Sequence, residues 1–132
     1  MVTACLAVTR ADVQLALGRS VSLAQPEESA SQSTCDHATD RARVTITLQH
    51  LDRDVSLPVE IAALQKEIEN STVRPASEAG AQAFFLDIAG AGTQLDIIRG
   101  REYLLVSVLG FGEAPSVSPA ALRLAFAALS RM

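Results

Sequence analysis

The clearest pattern in the chain is a strict alternation of apolar and polar residues over positions 43–50. The apolar positions are Val44, Ile46 and Leu48, and the polar positions between and beside them are Thr45, Thr47 and Gln49. A period of two predicts a strand in an antiparallel sheet that is buried on one face. Residues 35–38 are the predicted hairpin partner of this strand, with the turn at 39–42.

A second β region is predicted in the C-terminal half. Three largely apolar segments, 83–89, 94–99 and 102–110, are separated by the short sequences Gly90-Ala91-Gly92 and Arg99-Gly100-Arg101. Glycine turns between apolar segments favour hairpins. The segments therefore predict a three-stranded meander, and both β regions together predict a single antiparallel sheet of about five to six strands.

Three segments carry the signals of helices. Thr9 and Asp12 have the spacing of a capping box, and Gly18 follows as a C-terminal stop. The second helix is predicted from an N-terminal turn with Ser56 and Pro58 through Asn70, with apolar positions Leu57, Ile61, Leu64 and Ile68. The third begins at Ser118-Pro119 and has the apolar stripe Leu122, Ala125, Phe126 and Leu129. These helices are expected on one face of the sheet, which gives an α+β fold.

The domain organisation is simple. The chain has 132 residues, which is the size of one ordinary domain, so we expect a single domain over 1–132. Its core is expected to consist of Val, Ile, Leu and Ala, with Phe84, Phe85, Phe111 and Phe126 as the large side chains. Residues 19–34 are polar and aperiodic around Pro26, which predicts a flexible surface loop.

Charge and hydropathy exclude some classes of partner. The formal net charge is −4 and the basic residues are scattered, so neither nucleic acid nor an anionic membrane is an expected partner. No apolar run approaches the roughly 18 residues that span a bilayer. Lys66 is the only lysine beside ten arginines, since Lys and Arg total 11, and this bias indicates a GC-rich bacterial genome.

The two cysteines bear on the compartment. Cys5 precedes the first predicted helix and Cys35 opens the first β region. A bridge between them would contribute roughly 3 to 4 kcal/mol, whereas two buried free thiols fit the spacing equally well. No recognisable signal peptide follows Met1. A disulfide would therefore favour an exported protein whose signal segment is absent from this sequence, whereas free thiols would favour a cytoplasmic protein.

Several short segments resemble a known group of proteins. They are Cys5 with 8–13 and 16–18, Cys35 before the strand 43–48, and 85–92 leading into 99–104. In these segments the chain resembles small exported bacterial proteins and lipoproteins whose fold is similar to PsbP and Mog proteins. The resemblance implies a PsbP/Mog-like fold, a Cys5–Cys35 bridge and a periplasmic or envelope location. It implies no particular function, because PsbP and Mog proteins have unrelated roles.

Candidate chemistry is sparse. Cys35-Asp36-His37 suggests a nucleophile or a metal ligand pair, but a zinc site needs about four ligands and only Cys5 and His50 remain to complete it. The acidic residues Asp36, Asp40, Asp52 and Asp54 lack the alternation and central glycine of a calcium loop. Gly90-Ala91-Gly92 and Gly110-Phe111-Gly112 each lack the third glycine of a dinucleotide site. We therefore predict no catalytic, cofactor-binding or metal residue and no enzyme activity.

One group of basic residues is a candidate binding spot. Arg41 and Arg43 lie near one predicted hairpin turn, and Arg99 and Arg101 flank another, so together they could bind a carboxylate or an acidic partner. The favoured function is a non-enzymatic exported accessory domain that binds a small ligand or a protein through a sheet face, a strand edge or a cleft between sheet and helix. The alternatives are a cytoplasmic interaction or adaptor domain that forms a homodimer through strand edges, and an enzyme of unrecognised type.

Overall fold

The computed structural model describes residues 2–80 and 82–132. Its helices are α1 (Ala4–Ala7), α2 (Arg10–Leu17), α3 (Leu57–Glu67) and α4 (Ala114–Arg131), with a short 3-10 turn at Ser77–Ala79. Its strands are β1 (Gln25–Glu28), β2 (Gln32–Ala38), β3 (Arg43–His50), β4 (Ser71–Pro75), β5 (Ala83–Ile88), β6 (Gly92–Arg99) and β7 (Glu102–Leu109).

All of these strands belong to one antiparallel sheet in the order β1-β2-β3-β7-β6-β5-β4. The centre of the sheet is the β3–β7 ladder, where Arg43 lies opposite Leu109 and His50 opposite Glu102. This ladder joins an N-terminal meander, β1 to β3, to a C-terminal meander, β4 to β7. The prediction of an α+β fold with a single antiparallel sheet is confirmed, although the sheet has seven strands rather than five to six.

The two additional strands are the edges of the sheet. Residues 25–28 and 32–34 of the predicted loop 19–34 are strand, because β1 pairs with β2 from Gln25 opposite Asp36 to Glu28 opposite Ser33. All four residues of β1 are exposed, so their side chains carry no apolar alternation for a sequence pattern to detect. Pro26 is tolerated because an edge strand leaves one side of its backbone unpaired.

The main core lies between one face of the sheet and α1, α2 and α4. Its sheet side includes the three predicted apolar residues of β3 and side chains of the C-terminal meander, namely Phe85, Leu95, Ile97, Leu104, Val106 and Val108. The capping box of α2 is confirmed, because Thr9 Oγ1 accepts a hydrogen bond from the Asp12 backbone N–H and Asp12 Oδ2 accepts one from the Thr9 backbone N–H. Gly18 follows the helix with a φ of 67°.

Helix α4 differs from its prediction. It begins at Ala114, four positions before Ser118, because Pro115 also fits the first turn and Pro119 is accommodated inside the helix. Its buried face is Ala114, Val117, Ser118, Ala121, Leu124, Ala125 and Ala128. Phe126 does not lie on this face and is 46% exposed, so it is not the core side chain that its position in the predicted stripe indicates. Phe111 is also only partly buried.

Helix α3 lies on the other face of the sheet, so the expectation that all helices share one face is wrong. The side chains of Phe84, Leu86, Ile98 and Tyr103 are buried there, outside the main core. Glu60 of α3 is close enough to Tyr103 to affect its pKa. The helix ends at Glu67 rather than Asn70, whose φ of 59° is left-handed. None of its residues is fully buried.

Candidate functional site

A cleft opens between the β4 edge of the sheet and the first half of α4. It has a volume of about 350 Å³ and is lined by Arg74, Glu78, Phe85, Pro115, Ser118, Pro119 and Leu122. Small-molecule sites commonly occupy roughly 300 to 1,000 Å³ and combine an apolar lining with a few fixed polar groups. The cleft has such a mixed lining, because one guanidinium and one carboxylate lie among proline, phenylalanine and leucine, and it is open to solvent rather than enclosed.

Arg74 on β4 is the central polar group of the cleft. Its Nε donates to Asp87 Oδ2 at 2.8 Å, and its Nη2 donates to Asp87 Oδ1 at 3.1 Å and to Ser118 Oγ at 2.7 Å. The guanidinium carbon lies 4.2 Å from the centroid of the Phe85 ring. Three hydrogen bonds and an aromatic face therefore hold the guanidinium in one plane.

The strand register explains why these groups meet. Arg74 lies opposite Phe85, and Asp87 follows two positions later on the same face of β5. Thr93 of β6, which lies opposite Asp87, donates its hydroxyl to Asp87 Oδ1 at 2.8 Å. Ser118 completes the network from α4 and donates its own hydroxyl to the Ala114 carbonyl at 2.6 Å. A continuous polar network thus connects the sheet to α4.

The charges in the cleft are partly balanced. Hydrogen bonds from Arg74 hold the pKa of Asp87 below its usual value against the opposing effect of burial. The same pair raises the pKa of Arg74, and the charge of Glu78 acts in the same direction. Within residues 2–80 and 82–132, Arg74 Nη1 has no hydrogen-bond partner. Arg74 can therefore offer the two N–H groups of Nη1 to a ligand oxygen while the rest of the guanidinium is occupied.

The four predicted basic residues do not form one spot. Arg43 and Arg99 project from opposite ends of the sheet, because their respective partners on β7 are Leu109 and Glu102, its last and first residues. At about 3.4 Å per residue these ends are roughly 24 Å apart. Arg41 and Arg43 line an open depression at one end, whereas Arg101 at the other lies 3.5 Å from a carboxylate oxygen of Asp54.

Cys5 and Cys35 form a disulfide, with their Cα atoms 5.1 Å apart. This is the pairing that the resemblance implies, and it joins α1 to β2. His37 lies fully buried beside the bridge, with its Nε2 3.5 Å from Cys35 Sγ. Burial lowers the pKa of His37 against the opposing effects of the Val8 backbone and of the charges on Asp36 and Asp12. Because Cys35 is bridged, Cys35-Asp36-His37 offers no free thiol.

Among the residues that the structure describes, no group of three or more His, Cys, Asp and Glu side chains is placed to hold a metal ion. The closest ionic partner of His50 is Glu102, with His50 Nδ1 2.8 Å from Glu102 Oε1. Both side chains are well exposed, and polar pairs of this kind are common on protein surfaces.

A second buried polar group, which no sequence pattern predicted, lies under α3. Asp96 is fully buried on β6; its Oδ1 accepts a hydrogen bond from Gln94 Nε2 at 2.9 Å, and its Oδ2 accepts one from the Tyr103 hydroxyl. Burial raises the pKa of Asp96 to about 6, against the effect of these hydrogen bonds, and the charge of Glu60 contributes to the increase. In the sequence, this group is indicated by an aspartate in the middle of an apolar strand segment, between Leu95 and Ile97.

No protein family, curated protein or solved structure matches the chain. The resemblance to PsbP and Mog proteins therefore stays a prediction. Within the described part of the chain, no helix has the length and apolar character needed to cross a membrane.

Proposed function

We propose that this chain is a non-enzymatic, extracytoplasmic accessory domain of a bacterium that binds a small ligand in the cleft beside α4. The observation that carries the proposal is the fixed guanidinium of Arg74, which Asp87, Ser118 and Phe85 hold in place at the cleft. A donor that is already ordered loses little conformational entropy when a ligand binds. This arrangement is what a binding site requires, whereas catalysis would also require a positioned nucleophile or general base.

The cleft selects a ligand by shape and charge. An oxygen acceptor would bind Arg74 Nη1, and an apolar body would pack against Pro115, Pro119 and Leu122. Asp87 neutralises Arg74, and Glu78 adds one negative charge to the lining. The cleft therefore favours a neutral ligand, or one with a cationic group near Glu78, over a multiply charged anion.

The disulfide supports an extracytoplasmic location, because such bridges form and persist in oxidising compartments and are rare in the cytoplasm. The alternative of a cytoplasmic adaptor that dimerises through strand edges has less support. The β1 edge carries Pro26, Glu27 and Glu28, and the β4 edge carries Pro75. Proline and charge on an edge strand oppose pairing with another strand.

A neutral fluorescent probe tests the cleft. Dansylamide combines sulfonyl oxygen acceptors with an apolar naphthalene ring, so its titration should increase its fluorescence and shift the amide resonances of Arg74, Ser118 and Leu122. Leu122→Gln should weaken binding about tenfold, which corresponds to about 1.4 kcal/mol. Leu129→Gln is the matched control, because Leu129 is also a partly buried leucine of α4 but does not line the cleft.

Equal weakening by both substitutions, or resonance shifts away from the cleft, would count against this site. The compartment is tested separately by thiol alkylation and mass spectrometry of the protein purified from its own host. A Cys5–Cys35 bridge would support export. Two free thiols, with a stability that reductant leaves unchanged, would favour the cytoplasmic alternative.

A further inference from the structure

Helix α3 is weakly attached to the sheet for a helix of its length. It has 11 residues, yet none of them is buried, whereas seven residues of α4 are. The side chains that face the sheet, Leu57, Glu60, Ile61 and Leu64, are only partly buried. Elements with few buried side chains open at lower free energy than the core, so α3 can separate from the sheet without global unfolding.

The sheet surface under α3 contains a carboxyl group without a cationic partner. Asp96 of β6 lies opposite Phe84 of β5 and Leu105 of β7, so the strands beside it contribute apolar neighbours. Its two hydrogen-bond partners, Gln94 and Tyr103, are both uncharged. None of the ion pairs in the described part of the chain includes Asp96.

The charged group that faces Asp96 from α3 has the same sign. Burial is the main cause that disfavours ionisation of Asp96 and Tyr103, and the charge of Glu60, on the partly buried side of the helix, adds to it. Tyr103 keeps its proton at neutral pH, because burial raises its pKa further above 10. The closed position of α3 therefore places two carboxylates near each other in a region of restricted solvent, where like charges repel more strongly than in water.

We propose that α3 is a pH-gated cover of the second sheet face, closed when Asp96 is protonated and released when Asp96 and Glu60 are both charged. Release exposes the apolar surface formed by Phe84, Leu86 and Ile98, together with the Asp96 carboxylate. This device is separate from the cleft beside α4, which lies on the opposite face of the sheet.

The direction and size of the effect follow from linkage. The pKa of Asp96 is about 6 in the closed state and 3.8 in a solvated reference state. The closed state therefore binds the proton more tightly, and its advantage is lost as pH rises from about 4 to above 6. If opening restores the reference pKa, the closed-to-open ratio falls about 50-fold between pH 4 and pH 7.5.

Site-resolved amide hydrogen exchange of the intact chain tests the proposal. After correction for intrinsic exchange rates, protection of the amides in 61–67 should fall about 50-fold between pH 4 and pH 7.5. Protection in α4 reports unfolding of the whole chain, in which other titrating groups oppose the effect of Asp96, so it should fall less over the same interval. Other titrating groups make the whole fold less stable as pH falls, which is opposite to the effect of Asp96. They are the ion pairs Asp12–Arg131 and Asp87–Arg74 and the buried His37.

Two substitutions and one control substitution assign the effect to Asp96 and Glu60. Asp96→Asn retains the shape and removes the charge; its Oδ1 can still accept from Gln94, whereas its Nδ2 would donate to the Tyr103 hydroxyl instead of accepting from it. Protection of α3 should then become nearly independent of pH. Glu60→Gln should reduce the decrease, whereas Glu67→Gln, on the exposed side of the same helix, should leave it unchanged. Constant protection of α3 in the wild-type chain, a parallel fall in α4, or an undiminished fall in Glu60→Gln would each overturn the proposal. The wild-type and Glu60→Gln profiles decide the matter even if Asp96→Asn does not fold.

Discussion

The disulfide between Cys5 and Cys35 makes a quantitative prediction about stability. The two residues are separated by 30 positions, and the bridge holds the short helix α1 against β2. Closing a loop of this length removes about 12 cal/mol/K of entropy from the unfolded chain, or about 3.6 kcal/mol at 25 °C. Reduction should lower the free energy of unfolding by that amount.

The expected change in melting temperature follows from the size of the chain. At about 2.1 cal/mol/K per residue, 132 residues give an unfolding entropy of about 0.28 kcal/mol/K. A loss of about 3.6 kcal/mol therefore lowers Tm by about 13 °C. Circular dichroism of the oxidised and reduced protein, with alkylation to verify the thiol state, measures this difference directly.

The double substitution Cys5→Ala with Cys35→Ala separates the bridge from the chemistry of the reductant. Its Tm should be at least as low as that of the reduced protein, and reductant should not change it further. A decrease of less than about 3 °C on reduction of the wild-type protein would refute the reasoning, because the unfolded chain would then gain little freedom when the bridge opens.

Three further predictions concern packing and pH. Phe85→Ala should lower the free energy of unfolding, measured by denaturant titration, by about 3 to 5 kcal/mol. Phe126→Ala should lower it by less than about 1 kcal/mol, because the Phe126 side chain is 46% exposed. Similar losses would contradict the assigned core. Asp12→Asn should reduce stability at pH 7 but have little effect near pH 2. The hydrogen bond with Arg131 lowers the pKa of Asp12 to about 2, so the stabilisation by the Asp12 carboxylate is lost as pH falls from 3.8 towards 2. Because the pKa of His37 is lowered from 6.5, His37→Gln should weaken the decline in stability below pH 6.5, as measured by urea unfolding at pH 7.5 and pH 5.

The sequence predicted those elements whose side chains alternate or carry specific end signals. Strand β3 has three apolar residues on one face, and α2 has Thr9 and Gly18 at its ends, so both were identified from local sequence. Strand β1 was missed, because an exposed edge strand is stabilised by backbone pairing and needs no apolar side chain. The start of α4 was misplaced since Pro115 and Pro119 both fit a first turn.

The candidate site was less predictable than the fold. Arg74 and Ser118 are separated by 44 positions and meet only because β4 and α4 border the same cleft. Asp96 similarly depends on Tyr103 across a strand pair and on Glu60 from α3. A local pattern cannot indicate which polar residues will face each other across a sheet and a helix. For the same reason, the four predicted basic residues separated into two pairs at opposite ends of the sheet.

The central β3–β7 ladder also determines the order in which parts of the protein can form during synthesis. Its partners, such as Ile46 and Val106, are far apart in sequence, whereas β1, β2 and β3 are connected by short turns. Pairings between distant segments form slowly, because a long stretch of chain must be ordered first. Both cysteines lie before β3, so the N-terminal segment alone contains both partners of the covalent link. The bridge can therefore form before β7 has been synthesised. The C-terminal half of the chain then pairs with an N-terminal half in which α1 is already linked to β2.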